Sequence, residues 1–334
     1  MKAVIGLDTS CYTTSAAAVD EFGRVIASLR KLLPVPMGQR GLRQSDAVFE
    51  HVRQLPELIE ELGKAAADYE IAAVCASKKP RDGEDSYMPV FLAGDAQGRG
   101  MAALLHIPCF AATHQAGHVR AAMLDSGLEE SEFLAVHLSG GTTEVLHVRG
   151  AGIDCLGGTL DLHAGQLVDR VGVALSLPFP CGPYLEQLAL VGQAQSLLPV
   201  SMADEDLHCH LSGAETKVTK WLSSGEKTPE DAAAEVYDFL ARTAARLIFG
   251  AGRKTGLKSA LVAGGVASSP LFRELLQARM RRLAQDIKLY FGHPAYSGDN
   301  AVGVALLGLD QYNQLRDDGI GGAQRRMRCL TEKQ

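Results

Sequence analysis

His114 and His118 lie four residues apart in THQAGHV, so on a helix both imidazoles share one face and can take a single metal ion. The same spacing also serves a solvent-facing or structurally bonded pair, so a metal site needs a third ligand from elsewhere. Asp299, in GDNA, follows a glycine that permits a tight turn and precedes an apolar run. Its other reading is the N-cap of the helix that follows. Two histidines and one carboxylate suit zinc or ferrous iron and leave positions open for substrate oxygens. Residue 115 is Gln, so no glutamate base stands between the histidines as an HExxH peptidase requires.

Three glycine- or hydroxyl-rich turns offer a second kind of chemistry. The turn Ser139, Gly140, Gly141, Thr142 can present successive N–H groups without side-chain bulk, as phosphate cradles require; a plain hairpin turn is the alternative. On the turn of GLDTS, Asp8 has a short reach toward a metal-bound phosphate or water, and Thr9 and Ser10 can donate hydrogen bonds. Gly264 and Gly265, after the apolar run SALV, can let an adenosine approach a helix N-terminus or can simply make a close strand-to-helix turn. The residues around Asp169, Cys181 and Gly182 can close over a ribose. None of these turns is the GxxxxGK[ST] loop of P-loop ATPases. Cys11, with no assignable histidine beside it, reads as packing or loop chemistry and not as a nucleophile.

These turns must be carried by strands and helices. AVIGLDTS and SAAAVD read as two strands around a polar turn, and FLAVHLSGGTTEVLHVRG repeats that design. This recurrence suggests duplicated lobes around a cleft. A helix is predicted near residues 46–65, with Val48, Val52, Leu55, Leu58, Ile59 and Leu62 mostly on one side and Pro56 bending it or marking a junction. EIAAVCAS reads as a buried strand, and a helix begins near Thr113. The stretch from Leu160 to about Gly225 is loop-rich. Residues 229–251 form a long helix with Pro229 at its start and Glu230 and Asp231 in its first turn. SALV is a strand, and a helix starts near Pro270. AVGVALLGLDQY is a helix whose N-terminus lies at Asp299 or Asn300, and the residues after about Asp317 form a polar surface tail.

The composition supports two cores of ordinary size: 334 residues, 46% hydrophobic and 22% charged. Seven cysteines without a CxxC pair read as reduced thiols of a cytoplasmic protein. No signal segment or membrane span is predicted. A formal charge of −6 gives no global attraction for polyanions, so an RNA substrate would need a local basic patch or a partner protein.

Taken in order, GLDTSC, EHVRQLPEL, THQAGHV, HLSGGTTEV, LGGTLDLHAGQLVDRVG, LPFPCGP, LSGAETK, LVAGGVASS and GDNA closely resemble the TsaD/YgjD family over nearly the whole chain. These are the tRNA threonylcarbamoyladenosine synthases once called O-sialoglycoprotein endopeptidases. The resemblance implies an α/β protein with the actin-like ATPase fold of sugar kinases and Hsp70, two ribonuclease-H-like lobes around a nucleotide cleft. The N-terminal lobe would span 1–110, completed by 300–334. The C-terminal lobe would span 111–299, with an inserted loop-rich helical region at about 160–225. By the same resemblance His114, His118 and Asp299 hold one Fe2+ or Zn2+ per chain. Ser139, Gly140 and Gly141 face the phosphates of ATP, AMP or threonylcarbamoyl-adenylate. Asp169 and Gly182 match ribose-side positions, Gly264 and Gly265 the adenosine loop, and Ser269 stands in place of an adenosine-contacting Asn.

The implied activity is transfer of threonylcarbamoyl to the N6 amine of an adenosine in tRNA, with Asp8 and Ser10 beside the reacting groups. The implied partners are a smaller paralogue of the same fold, an accessory ATPase and tRNA; a homodimer is also compatible. The chain departs from the family pattern at several points. Tyr12, Thr13 and Thr14 replace an Asp-Glu-Thr run, removing two carboxylates near the reaction centre. Leu162, His163 and Gln166 replace an aspartate, an alanine and a glutamate, and Cys181 replaces a glycine. Two alternatives therefore stand beside the transferase: a nucleotide-bound scaffold without catalysis, and a small-molecule carbamoyl- or phosphotransferase of the same fold.

Overall fold

Alternation along KAVIGLDTS sets the first layer of the structure. In strand β1 (Lys2–Ser10), Ile5 and Leu7 turn to one face and join a buried cluster with Leu55, Leu58, Leu62 and Val74. Gly6, Asp8 and Ser10 turn to the other face, as the period of two demands. A Cβ on Gly6 would lie 2.4 Å from the backbone nitrogen of Ala305, so only glycine lets a helix pack directly on the strand here. The structure is a computed structural model describing residues 1–10, 12–34, 42–83, 86–150 and 152–331, with side chains to residue 317.

The chain divides into two compact units, Met1–Ala121 with Asp299–Gln334, and Ala122–Gly298. In the first, β1, β2 (Thr13–Asp20), β3 (Val25–Leu32), β4 (Glu70–Lys79) and β5 (Cys109–Thr113) form a sheet in the order β3-β2-β1-β4-β5. β1 pairs antiparallel with β2 and parallel with β4. Helices α1 (Gln44–Ala65) and α2 (Phe91–Leu105) connect the strands, and α3 (His114–Met123) begins where β5 ends. The unit boundary places β5 and most of α3 here, and not in the second lobe, where a division at residue 110 would put them.

The second unit repeats this pairing. β6 (Glu132–Leu138), β7 (Thr143–Arg149) and β8 (Gly152–Thr159) form an antiparallel meander, and β6 pairs parallel with β11 (Ser259–Ala263), which pairs parallel with β12 (Lys288–Phe291). The order β12-β11-β6-β7-β8 mirrors that of the first sheet, extended by β10 (His208–His210) and β9 (Ser201–Ala203). The recurrence expected from two strand-turn-strand segments is thus a recurrence of whole sheets.

The inserted region at 160–225 carries three helices joined by loops: α4 (Ala164–Ala174), α5 (Gly182–Val191) and α6 (Ser212–Ser224). Thr228 caps α7 (Pro229–Thr255) by accepting from the Asp231 amide at 3.1 Å. Alanines and glycines make α7 narrow enough to be buried on nearly every side. α8 (Pro270–Leu283) follows β11. α9 (Val302–Thr331) runs through the segment expected as a tail, because GLDQYNQLRDD continues its pattern without a proline or cap. Among the described residues, no helix is long and apolar enough to cross a membrane.

α1 also turns differently from its apolar pattern. Val52 is 56% exposed, whereas His51 and Gln54 are buried against Thr14 of β2. Gln54 Nε2 donates to the Leu32 carbonyl at 3.1 Å, so its Oε1 faces Thr14 and accepts the hydroxyl proton at 2.7 Å. With that proton used, His51 Nδ1 is the donor in the 2.8 Å contact to Thr14. Nε2 is then a buried acceptor without a partner. Burial, opposed by the charge of Asp8, holds this imidazole down at about 4, against 6.5 for an ordinary one.

Because the folded value is lowered, the unfolded chain takes up the proton first. The His51 contribution to stability is expected to be complete above about pH 6.5 and to be lost as pH drops to about 4, a change on the order of 3 kcal/mol. His51→Asn keeps a donor toward Thr14 and does not titrate. Urea unfolding of this variant should show a flatter slope across that window; an unchanged slope would remove His51 as its cause.

Candidate metal centre and nucleotide cavity

The candidate metal site lies within the first unit. α3 starts abruptly after β5, with the Thr113 hydroxyl accepting from the Ala116 amide at 3.1 Å, and its first and fifth residues are the two histidines, one turn apart. Their Nε2 atoms are 2.9 Å apart. Asp299, just before α9, puts Oδ1 3.3 Å from His118 Nε2 and 3.7 Å from His114 Nε2. Metal–nitrogen bonds of about 2.0–2.1 Å place neighbouring ligand atoms roughly 2.9–3.4 Å apart. Two edges of this triangle therefore match a shared ion, and the third is slightly wide. The three residues form a group able to chelate a metal ion.

Asp299 is not the cap of α9. Asn300 Oδ1 accepts from the Val302 amide at 3.0 Å, and Asp299 Oδ2 instead accepts from the Thr13 hydroxyl at 3.2 Å. Burial works against the Asp299 charge, but His118, His114 and Thr13 hold its carboxyl well below the usual carboxylate range.

Asp8 sits where substrate cannot easily reach it. It is fully buried, and its oxygens lie 3.1 Å from His114 Nδ1 while also accepting from Ser10 at 2.8 Å and from Ser77. Burial raises the Asp8 carboxyl, but His114, Ser77 and Ser10 outweigh it and leave it below its ordinary value. For His114, burial is outweighed by Asp8 and Asp299, and the imidazole is raised to about 9. The expected reach of Asp8 toward phosphate or water gives way to a different geometry. Asp8 fixes the His114 ring with Nδ1 toward the carboxylate and leaves Nε2 facing His118 and Asp299, where an ion would take the place of the Nε2 proton in a carboxylate–histidine–metal arrangement. Ser10 serves Asp8 in turn. Sequence spacing did not reveal Ser77, which enters from β4. Cys11 lies outside the described residues.

The second unit contains a cavity of about 360 Å³ lined by Ser139, Gly140, Gly165, Asp169, Gly182, Glu186, Tyr237, Gly265 and Ser269 among others. Six of the expected nucleotide residues therefore meet at one place. Gly141 and Gly264 do not line it. Gly264, at φ +99°, is used for the turn itself, since a Cβ there would lie 2.3 Å from the Leu138 carbonyl oxygen. The Gly141 and Thr142 amides donate to the Ser139 hydroxyl at 3.4 and 3.0 Å, so the loop is not a row of open N–H groups.

Asp169 Oδ1 accepts from the Cys181 amide at 3.0 Å, and burial raises its carboxyl. The Cys181 side chain is buried against Gly172 of α4, where burial also raises the thiol. Two lining residues escaped the sequence reading. Glu186 accepts from the Ser269 hydroxyl at 2.6 Å and the Leu271 amide at 2.9 Å, and the Tyr237 hydroxyl donates to the Gly182 carbonyl at 3.0 Å. Glu186 stands one helical turn after Gly182, a spacing that could have marked it.

Gly165 controls the shape of the loop. Its amide donates to the Ser139 carbonyl at 3.0 Å, and a Cβ would lie 2.5 Å from the Gly140 nitrogen and 2.6 Å from the Ser139 carbonyl carbon. Gly165→Ala should displace the Ser139–Gly140 backbone and weaken AMP binding by about tenfold or more, or 1.4 kcal/mol. Metal content should stay unchanged. Calorimetric titration with AMP checks this, and wild-type affinity in the variant would dissociate the loop from the ligand.

Comparison with solved structures shows the actin-like fold. The activator of 2-hydroxyisocaproyl-CoA dehydratase from Clostridium difficile, with bound ADPNP, superposes at a TM-score of 0.54 with 14% identity, covering 95% of this chain and 97% of that one. HypF from T. kodakarensis superposes at 0.58 with 13% identity over 94% of this chain and 48% of its own. A ROK family glucokinase from Streptomyces griseus, in complex with glucose and AMPPNP, gives 0.51 with 12% identity over 92% and 99%. At these identities the likeness is one of fold alone. The TsaD family model, described as tRNA N6-adenosine threonylcarbamoyltransferase, matches residues 38–306, a span that includes His114, His118, Asp299 and the whole glycine-lined cavity, and the chain belongs to that family.

Proposed function

We propose that this protein transfers threonylcarbamoyl from an activated adenylate to the N6 amine of an adenosine in tRNA. The observation carrying this reading is the convergence of His114, His118 and Asp299 on one ion-sized site within a chain matched by the TsaD family model. One Fe2+ or Zn2+ per chain fits the donor set of two imidazoles and one carboxylate. When bound, such an ion would supply Lewis-acid polarisation of a carbonyl and a hold on substrate oxygens.

The reaction is attack of an amine on an activated carbonyl, with AMP leaving, so no covalent enzyme intermediate is required. In the second unit, Ser139 and Gly140 would face the phosphate, and Asp169 and Glu186 would accept from ribose hydroxyls. Asp8 would hold His114 in one tautomer, and Thr13 would hold Asp299. The histidine pair lacks the glutamate of an HExxH metallopeptidase, since residue 115 is Gln. The reading extends to a cytoplasmic protein working with a smaller paralogue and an accessory ATPase. It also allows a homodimer.

The test is incubation of the full chain with unmodified tRNA and threonylcarbamoyl-adenylate, followed by mass analysis of the nucleosides, beside His114→Ala. Modified adenosine that vanishes in the variant supports the transferase. AMP binding without product would favour a scaffold, and carbamoylation of a small acceptor alone would favour a different transferase of this fold.

A further inference from the structure

On the second unit, α7 and α8 enclose a groove of about 270 Å³ lined by Arg242 and Arg246 from one helix and Arg279, Arg282 and Leu283 from the other. Its floor is apolar, formed by Val200, Ala245 and Leu283, the last 39% exposed. Two of the guanidiniums are held in place from beneath. Asp238, 3% exposed, accepts from Arg242 Nε at 2.8 Å and from Arg279 Nη2 at 2.5 Å, and Arg242 also donates to the Leu198 carbonyl at 2.8 Å. Arg246 pairs with Asp206 at 2.7 Å, and Arg282 has no carboxylate partner among the described residues. Four guanidiniums against two carboxylates leave a local positive excess on a chain whose formal charge is −6.

The geometry points to this groove as a docking site for an acidic peptide segment of a partner protein, one that inserts an apolar side chain between flanking carboxylates. Arginine forks match carboxylates bidentately, and forks already fixed by Asp238 lose little rotamer entropy on binding. Phosphates would satisfy the guanidiniums equally well, but a sugar–phosphate backbone offers only small CH groups flanked by polar oxygens, a poorer cover for the exposed Leu283 floor than a branched aliphatic side chain. At roughly 100° per residue, Arg242 and Arg246 lie on the far side of α7 from Tyr237. The groove is thus separate from the nucleotide cavity, whose AMP binding serves as an independent check on folding.

The probe is a fluorescein-labelled peptide of glutamates around a leucine pair, titrated by anisotropy against the full chain, with Arg282→Gln and Leu283→Ser as variants at exposed positions. The expected result is salt-sensitive binding that weakens about tenfold or more in each variant, while AMP binding is unchanged. No binding, or binding indifferent to both substitutions, overturns the proposal. Equal binding of an all-glutamate peptide reduces the groove to a counterion patch and also overturns it. Tighter, arginine-dependent binding of tRNA would assign the groove to nucleic acid instead.

Discussion

His118→Ala is expected to leave the purified protein with less than about a tenth of the wild-type metal content. The two remaining ligand atoms, His114 Nε2 and Asp299 Oδ1, form the widest edge of the triangle at 3.7 Å. Losing an outer hydrogen-bond partner of a metal ligand already costs roughly 10–100-fold in affinity. Losing one of three protein donors should cost more, and transfer activity should fall with the metal. Asp299→Ala should behave the same way, because Asn300 and not Asp299 satisfies the start of α9. Were Asp299 only structural, that variant would lose stability and keep its ion. Elemental analysis of both variants, with AMP affinity measured in parallel, separates these cases. Wild-type metal content in His118→Ala would end the assignment of the site.

The metal pair was legible because α-helical periodicity is local: His114 and His118 share a face wherever THQAGHV forms a helix. Asp299 was legible only as one of two alternatives, and the choice turned on which side chain accepts from the Val302 amide. The role of Asp8 was not legible. It depends on Ser77 from β4 and His114 from α3, which the parallel β1–β4–β5 pairing brings together from distant segments. Hydropathy alone places Val52 of α1 on an apolar face, yet it is exposed. Thr14, buried on β2, instead requires polar partners, and His51 and Gln54 provide them. The glycine pair marks the loop in the sequence, but not that the Ser139 hydroxyl occupies the Gly141 amide. Gly165 acts on that loop from α4, a contact no spacing rule could show.

Gly303→Ala is expected to dismantle the metal centre without touching a ligand. α3 and α9 cross where Gly117 faces Gly303, and a Cβ on Gly303 would lie 1.8 Å from the Gly117 carbonyl oxygen and 2.8 Å from the Ala121 nitrogen. Ordinary non-bonded contact requires about 3.5 Å, so the helices would have to separate by something on the order of 1.5 Å. Both contacting atoms belong to the α3 backbone, so no side-chain rotation can relieve the clash. α3 carries His114 and His118, and Asp299 leads into α9, so the separation opens the triangle directly. Metal–ligand distances tolerate only about 0.2 Å. Overpacking of this kind also costs about 1–3 kcal/mol or more in stability. Gly100→Ala, on an exposed part of α2 with nothing within 4 Å of its Cβ, is the matched control and should be neutral or slightly stabilising. Metal per chain and the thermal midpoint are the two readouts. A Gly303→Ala protein that binds its ion as the wild type does would show that α3 and α9 are not held at this distance by the glycine pair, and the positioning of the histidines would need another cause.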